Sequence, residues 1–488
     1  MKTKFTRPLV TLVALTGFGT ALYASDDDKH WKDFGKTIER ALHAKSDRLF
    51  GIRRPLRESA PESTVPYRTS TQAAGDQVLL AKGLKVEYLT RAAGNATDMM
   101  AFFPAHNPTH LITCVEGDRE EIVPNSNKFN PSVQRINLQS GGVETILRGM
   151  EGCDGIRTTA WGTILATEET SDGGAYEILN PLTVTNQRII DRSTGAVTDT
   201  LNIAKRTALP TMAWEGISIL PNGILYAGDE LRPGTGVADA DGGAIFKFVP
   251  SNLFNGNSPI SNLGESPFVS GFVYAMQVSC VSNTQQFGQG CEIGNAAWII
   301  VNAATVRADA NSKGATGYYR PEDLHGDPLY KDATKPDAVR FCWTNTGNEG
   351  GQNFSEVVCA VDSEPLTADA TKRTVVANRF IEGDKDFNSF DNLDFQPRTG
   401  NLYVIEDHPN GDIFACLRDG ADRDIKSDGC VKILSVKDSS AEPTGFIFSA
   451  DGKTAYLSIQ HSDDTNMPKV DDYGTDDVLI ITGFDIRH

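Results

Sequence analysis

Three pairs of carboxylates recur at one spacing. Glu168-Glu169, Asp229-Glu230 and Glu406-Asp407 stand six and seven residues after Gly162, Gly223 and Gly400. One acidic pair after a strand is ordinary turn chemistry, but three in register suggest side chains that meet. Convergent carboxylate oxygens hold hard cations such as calcium or ferric iron. Other chemistries lack their signatures: there is no G-x-S-x-G elbow, no H-E-x-x-H and no phosphate-binding P-loop, and only eight histidines are scattered along 488 residues. A serine hydrolase, a zinc protease or an imidazole-rich centre is therefore disfavoured.

The elements that must carry these pairs are short. Each pair ends an apolar run that follows a glycine turn, and a longer cousin runs from Asp451-Gly452 to Gln460-His461. Apolar runs also precede three of the turns, at 216–221, 393–397 and 446–449, which makes each unit a hairpin. Frequent Gly and Pro and scarce helical periodicity beyond 32–48 predict an all-β chain. Glycines at 162, 223, 400 and 452 space like propeller blades, with six expected and seven possible. Blades are radial, so equivalent strand ends converge on one axis. Residues 76–488 are then a single β-propeller, with 25–75 as an N-terminal arm. Insertions near 231–243 and 305–340 are expected to be loops on the site face.

Lys2, Lys4 and Arg7 before an apolar run from Leu9 to Ala21 predict a signal peptide over 1–24, and hence a periplasmic or secreted protein. That run is too short to span a bilayer, and no later stretch approaches the length a membrane helix needs. A net charge of −18 argues against nucleic acid or an anionic membrane as partner. It also repels an anionic substrate, except where bound cations reverse the local sign. Of eight cysteines, three pairs close short loops: Cys280 with Cys291, Cys342 with Cys359, and Cys416 with Cys430. Cys114 and Cys153 remain, either as a fourth bridge or with one free thiolate.

Several segments together resemble the PhoX-type alkaline phosphatases. They are Gly152-Cys153-Asp154-Gly155 with Trp161-Gly162-Thr163 and Glu168-Glu169, then Trp214-Glu215, Tyr319-Arg320-Pro321-Glu322-Asp323, Phe390-Asp391-Asn392-Leu393, and Glu442-Pro443-Thr444-Gly445. The resemblance implies two ferric ions and two or three calcium ions in a central cluster. It implies Cys153 as a thiolate bridging the irons, unpaired with Cys114, and Glu168, Glu215, Glu322, Asp391 and Glu442 as metal ligands. Arg320 would grip phosphate with its planar fork, its guanidinium facing the open channel, and Glu322 would serve beside it in catalysis.

The expected function is a metal-dependent phosphomonoesterase acting on small phosphorylated organic molecules, as a monomer. The alternatives are a calcium-dependent propeller esterase or lactonase, and a non-catalytic envelope scaffold. If the ligands do converge without metal, mutual repulsion should raise their pKa values.

Overall fold

The computed structural model describes residues 34–61, 63, 68–234, 242–278, 292–418, 429–460 and 465–486. The signal-peptide segment, the Cys280–Cys291 pair and His461 lie outside the described residues.

Antiparallel pairings trace meanders of four strands. Their innermost strands are Thr97–Phe103, Cys153–Thr158, Trp214–Ile219, Pro321–Gly326, Phe390–Phe395 and Glu442–Phe448. Each packs beside the next and the last packs against the first, so they form a closed ring around an axis. The fold is an all-β propeller. The last meander takes its outer strand, Lys85–Gly94, from the N-terminal side, paired antiparallel with Thr475–Thr482. Two neighbouring meanders are joined at their rims by Gly294–Val301, which pairs with both Gly271–Val278 and Val375–Glu382.

The second strands show why apolar runs dominated the sequence. Thr163–Glu168, Leu225–Asp229 and Leu402–Glu406 are buried along their whole length, because each has a neighbouring sheet on both faces. Trp161, Trp214, Phe246 and Phe268 fill one such space between sheets. The four turn glycines have φ of 79°, 97°, 71° and 67°, in the left-handed region that side chains rarely tolerate. That is why the glycines mark the repeat.

The 305–340 insertion is not simply a loop. It contains a short helix, Val306–Ser312, and the innermost strand Pro321–Gly326. The strand was hidden because Pro-Glu-Asp-Leu-His-Gly is mostly polar, with Leu324 its one side chain in an apolar cluster.

The described part of the N-terminal arm starts with a helix, Phe34–Leu49, and then runs along the strand Cys430–Val436. The Leu56 and Ser63 amides donate to the Lys432 and Lys437 carbonyls, each at 2.8 Å. Its anchor is Arg68, which meets Asp477 at 2.7 Å with both side chains fully buried. Arg91 and Gln77 donate to the same carboxylate. Burial alone would raise the Asp477 pKa, but Arg68 and its neighbours hold it below the usual value. Arg68→Ala should cost about 3 kcal/mol, the low end for breaking a buried pair, since Arg91 still faces Asp477. The check is a lower denaturation midpoint at unchanged m-value. No helix among the described residues is long and apolar enough to cross a membrane.

Candidate metal centre and anion cavity

Successive side chains on a strand point to opposite faces, so two consecutive acids at a strand end cannot share one role. The first acid of each pair turns into the sheet packing and staples loops. Glu168 accepts from the Glu151 and Gly174 amides, both at 3.0 Å, and from Arg192 Nε at 2.7 Å. Asp229 accepts from the Ala213 amide at 3.1 Å and from Arg307 at 2.6 and 2.7 Å. Glu406 accepts from the Asn388 and Asp412 amides, both at 3.1 Å. The second acid of each pair, Glu169, Glu230 or Asp407, is the one turned toward the axis.

A second set comes from the innermost strands. Their second residues are Asp98, Asp154, Glu215, Glu322 and Asp391, with Pro443 at the equivalent place in the last strand. Gly155 and Gly216 follow two of these acids because neighbouring innermost strands approach closely there. A Cβ would lie 2.0 Å from the Glu215 carbonyl oxygen at Gly155, and 1.9 Å from the Leu324 nitrogen at Gly216.

The two sets interleave into three groups: Asp98, Glu116 and Asp154; Glu169, Glu230 and Glu322; Glu215, Glu322 and Asp391. Within each group a carboxylate oxygen from every member lies within 4.8 Å of the others. Glu322 belongs to two groups, and a hydrogen bond between Asp154 and Glu169 links the remaining one.

The electrostatics follow from the crowding. Burial, then Asp98 and Glu169, push Asp154 well above the usual carboxylate range. Glu169 is raised by burial and by Glu116 and Glu230, Glu215 by burial and Glu322, and Asp391 by burial and Asp407. Glu322 is pushed up to about 7 by burial, against the opposing pull of Arg320. The expected upward shifts are present.

Arg320 stands beside these groups at φ 55°, a conformation that costs strain in a residue other than glycine. It is held from both sides: its amide donates to the Leu231 carbonyl at 3.3 Å, and its carbonyl accepts from the Thr346 amide at 3.2 Å. Its guanidinium is not free, contrary to expectation. It pairs with Glu230, with Glu322 at 3.1 Å and with Asp407 at 3.8 Å, because it is the cation to which the crowded acids turn. It nonetheless lines a cavity of about 220 Å³, along with Arg232, Tyr319, Thr346, Ser389 and Asp407.

Three expected metal ligands are corrected by this geometry. Cys153 is in a disulfide with Cys114, and both are fully buried in an apolar cluster, so it offers no thiolate. Glu168 is the staple described above, and its neighbour Glu169 takes the axial position. Glu442 opens its strand one residue before the ring position, which Pro443 occupies, and it joins none of the three groups among the described residues. Glu215, Glu322 and Asp391 do come together. Asp98, Glu116, Asp154, Glu169 and Glu230, which also belong to the three groups, were missed as candidate ligands. The alternation of strand faces was the signal that could have found Glu169 and Glu230. Asp154 and Glu215 share an acid-glycine pair that could have been aligned.

The donor set fits cations. It is all oxygen, and the buried atoms Asp154 Oδ1 and Glu215 Oε1 have no hydrogen-bond partner among the described residues, which is costly unless a ligand satisfies them. Oxygen-only donors suit calcium, magnesium, manganese and ferric iron. The two other disulfides described, Cys342–Cys359 and Cys416–Cys430, pair as expected, and three bridges suit an exported protein.

No curated protein matches the chain. Solved structures resemble it only distantly. A gluconolactonase from Xanthomonas campestris is 11% identical with a TM-score of 0.37, covering 88% of this chain and 98% of its own. The PQQ-bound aldose sugar dehydrogenase from Streptomyces coelicolor is 13% identical with a TM-score of 0.36, covering 83% and 99%. Neither likeness bears on activity. A sequence model of the family described as alkaline phosphatase PhoX, in contrast, matches residues 150–463, which is more than half the chain and contains most of the acids gathered at the axis. By that match the chain belongs to the alkaline phosphatase PhoX family.

Proposed function

We propose that this protein is an exported, metal-dependent phosphomonoesterase acting on small phosphate esters. The observation that carries the reading is Arg320, fixed by its backbone between a carboxylate cluster and an open cavity. Eight clustered carboxylates repel a phosphate dianion, so the reading requires cations at the site. Ferric iron and calcium, held by Glu169, Glu230 and Glu322, by Glu215 and Asp391, and by Asp98, Glu116 and Asp154, would reverse the local sign and supply Lewis acidity for phosphoryl transfer.

The chain's own residues orient the ester. Arg320 presents a rigid fork of donors to two phosphoryl oxygens, and its weakest contact, to Asp407 at 3.8 Å, lies among the cavity-lining residues. The Thr346 hydroxyl bonds to the Glu322 carboxylate and holds it toward Arg320. Burial of Glu322 strengthens these interactions relative to water.

Arg320→Lys keeps the charge and removes the fork. It should lower kcat/KM on a chromogenic phosphomonoester by ~2 to 4 kcal/mol in transition-state stabilisation, with metal content unchanged. Unchanged turnover in that variant, or no turnover by the wild type supplied with iron and calcium, retires the reading. One observation favours a second reading, a calcium-only hydrolase of another ester: Cys153 is bridged and gives iron no thiolate. Elemental analysis separates the two, since that reading expects calcium without iron.

A further inference from the structure

The cavity beside the acidic cluster contains two arginines with opposite circumstances. Arg320 is engaged by three carboxylates. Arg232 is exposed, and among the described residues no hydrogen bond or ion pair engages it. An arginine is always charged, so Arg232 presents an uncompensated cation to a cavity whose walls also include Glu349 and Asp407. Its location is fixed by the neighbouring Leu231, whose carbonyl accepts from both the Arg320 and Gly243 amides, at 3.3 and 3.1 Å. The backbone that carries Arg232 is therefore tied directly to the backbone that carries Arg320.

A cation left unpaired on so acidic a protein has a ligand-side explanation. The phosphoryl group of an ester is already assigned to Arg320 and the cluster. A second anionic group on the same molecule would meet Glu349 and Asp407 and be repelled, unless Arg232 received it. We propose that Arg232 is a specificity-determining residue that binds a second anion, carboxylate or phosphate, on the organic part of the substrate. The cavity, at about 220 Å³, has room for one small molecule, so both anions belong to a compact ligand. The substrate class is a compact phosphate ester carrying a second negative group, such as a phosphorylated hydroxy acid or a short bisphosphate. Tyr319 and Asn348, joined by a 3.1 Å hydrogen bond, add polar lining to the same cavity.

This inference rests on the phosphomonoesterase reading, and its experiment separates the two. Wild type and Arg232→Ala, each loaded with metal, are assayed on phenyl phosphate, phosphoglycolate and propanediol bisphosphate. Arg232 is exposed, so the substitution should leave folding intact. The expected result is a fall of at least about tenfold in the kcat/KM ratio of an anionic substrate to phenyl phosphate, carried by KM, as for a lost charge-assisted hydrogen bond. The arm that falls tells whether the second anion is carboxylate or phosphate. A ratio unchanged on both arms, with phenyl phosphate still hydrolysed by the wild type, overturns the role of Arg232. No hydrolysis of any of the three by the wild type overturns the underlying reading instead.

Discussion

Glu322→Gln is expected to lower kcat/KM on a phosphomonoester by about a thousandfold or more, while the purified protein loses bound metal. Glu322 belongs to two of the three carboxylate groups, pairs with Arg320 at 3.1 Å and accepts from the Thr346 hydroxyl. Glutamine keeps its shape, so the innermost strand should form as before. What changes is that an amide directs two donors where cations and Arg320 both need an acceptor. Glu442→Gln is the contrasting control, because Glu442 is outside the three groups and should leave metal content as it was. Glu168→Gln should also keep its metal while losing stability, since its partner is Arg192. An E322Q protein that keeps both its metal and its turnover would remove Glu322 from the site.

The second large effect concerns stability in the absence of metal. The folded-state pKa of Glu322 is about 7, against an ordinary 4.5, and Asp154, Glu169, Glu215 and Asp391 shift the same way. A raised carboxylate pKa means that the folded chain holds protons the unfolded chain has released. Below pH 4.5 both states are protonated and the difference contributes nothing. As the pH rises from there to about 7 the unfolded state gains, and the loss of stability for Glu322 is complete above 7. Protein stripped with a chelator should therefore melt at a lower temperature at pH 8 than at pH 5. Cations that bind the folded state reverse this, by about 4 kcal/mol per site at a thousandfold excess over Kd. Thermal scans of stripped and reloaded protein check both statements. A stripped protein more stable at pH 8 than at pH 5 would contradict the crowding described.

The fold was readable because its marks are local. Turn glycines such as Gly162 and Gly400 need positive φ, and the runs after them are apolar because they are covered on both faces. Arg320, Glu322, Glu215 and Asp391 were legible because motif segments carry them. The rest failed for physical reasons. Which acid of a pair faces the axis depends on strand phase, and a one-residue error selects Glu168 instead of Glu169. Cys153 is separated from Cys114 by 39 residues, and only the pairing of two different meanders brings them into contact. Asp98 and Glu116 lie before the segments that resembled the family, in a part of the chain without a motif to mark them.

The seam between Lys85–Gly94 and Thr475–Thr482 also bears on the order in which the molecule assembles. Its two strands are nearly the whole propeller apart in sequence, so among the described strands it is the pairing of greatest separation and is expected to form late. Until it forms, the meanders make an open arc, and Asp98 from the first innermost strand need not lie near Asp391 from the fifth. An ion held jointly by acids from distant parts of the arc would then act as a clasp, favouring the closed circle over the open one. Occupancy at the hub and integrity at the rim would thus be coupled, and loosening either would be felt at the other.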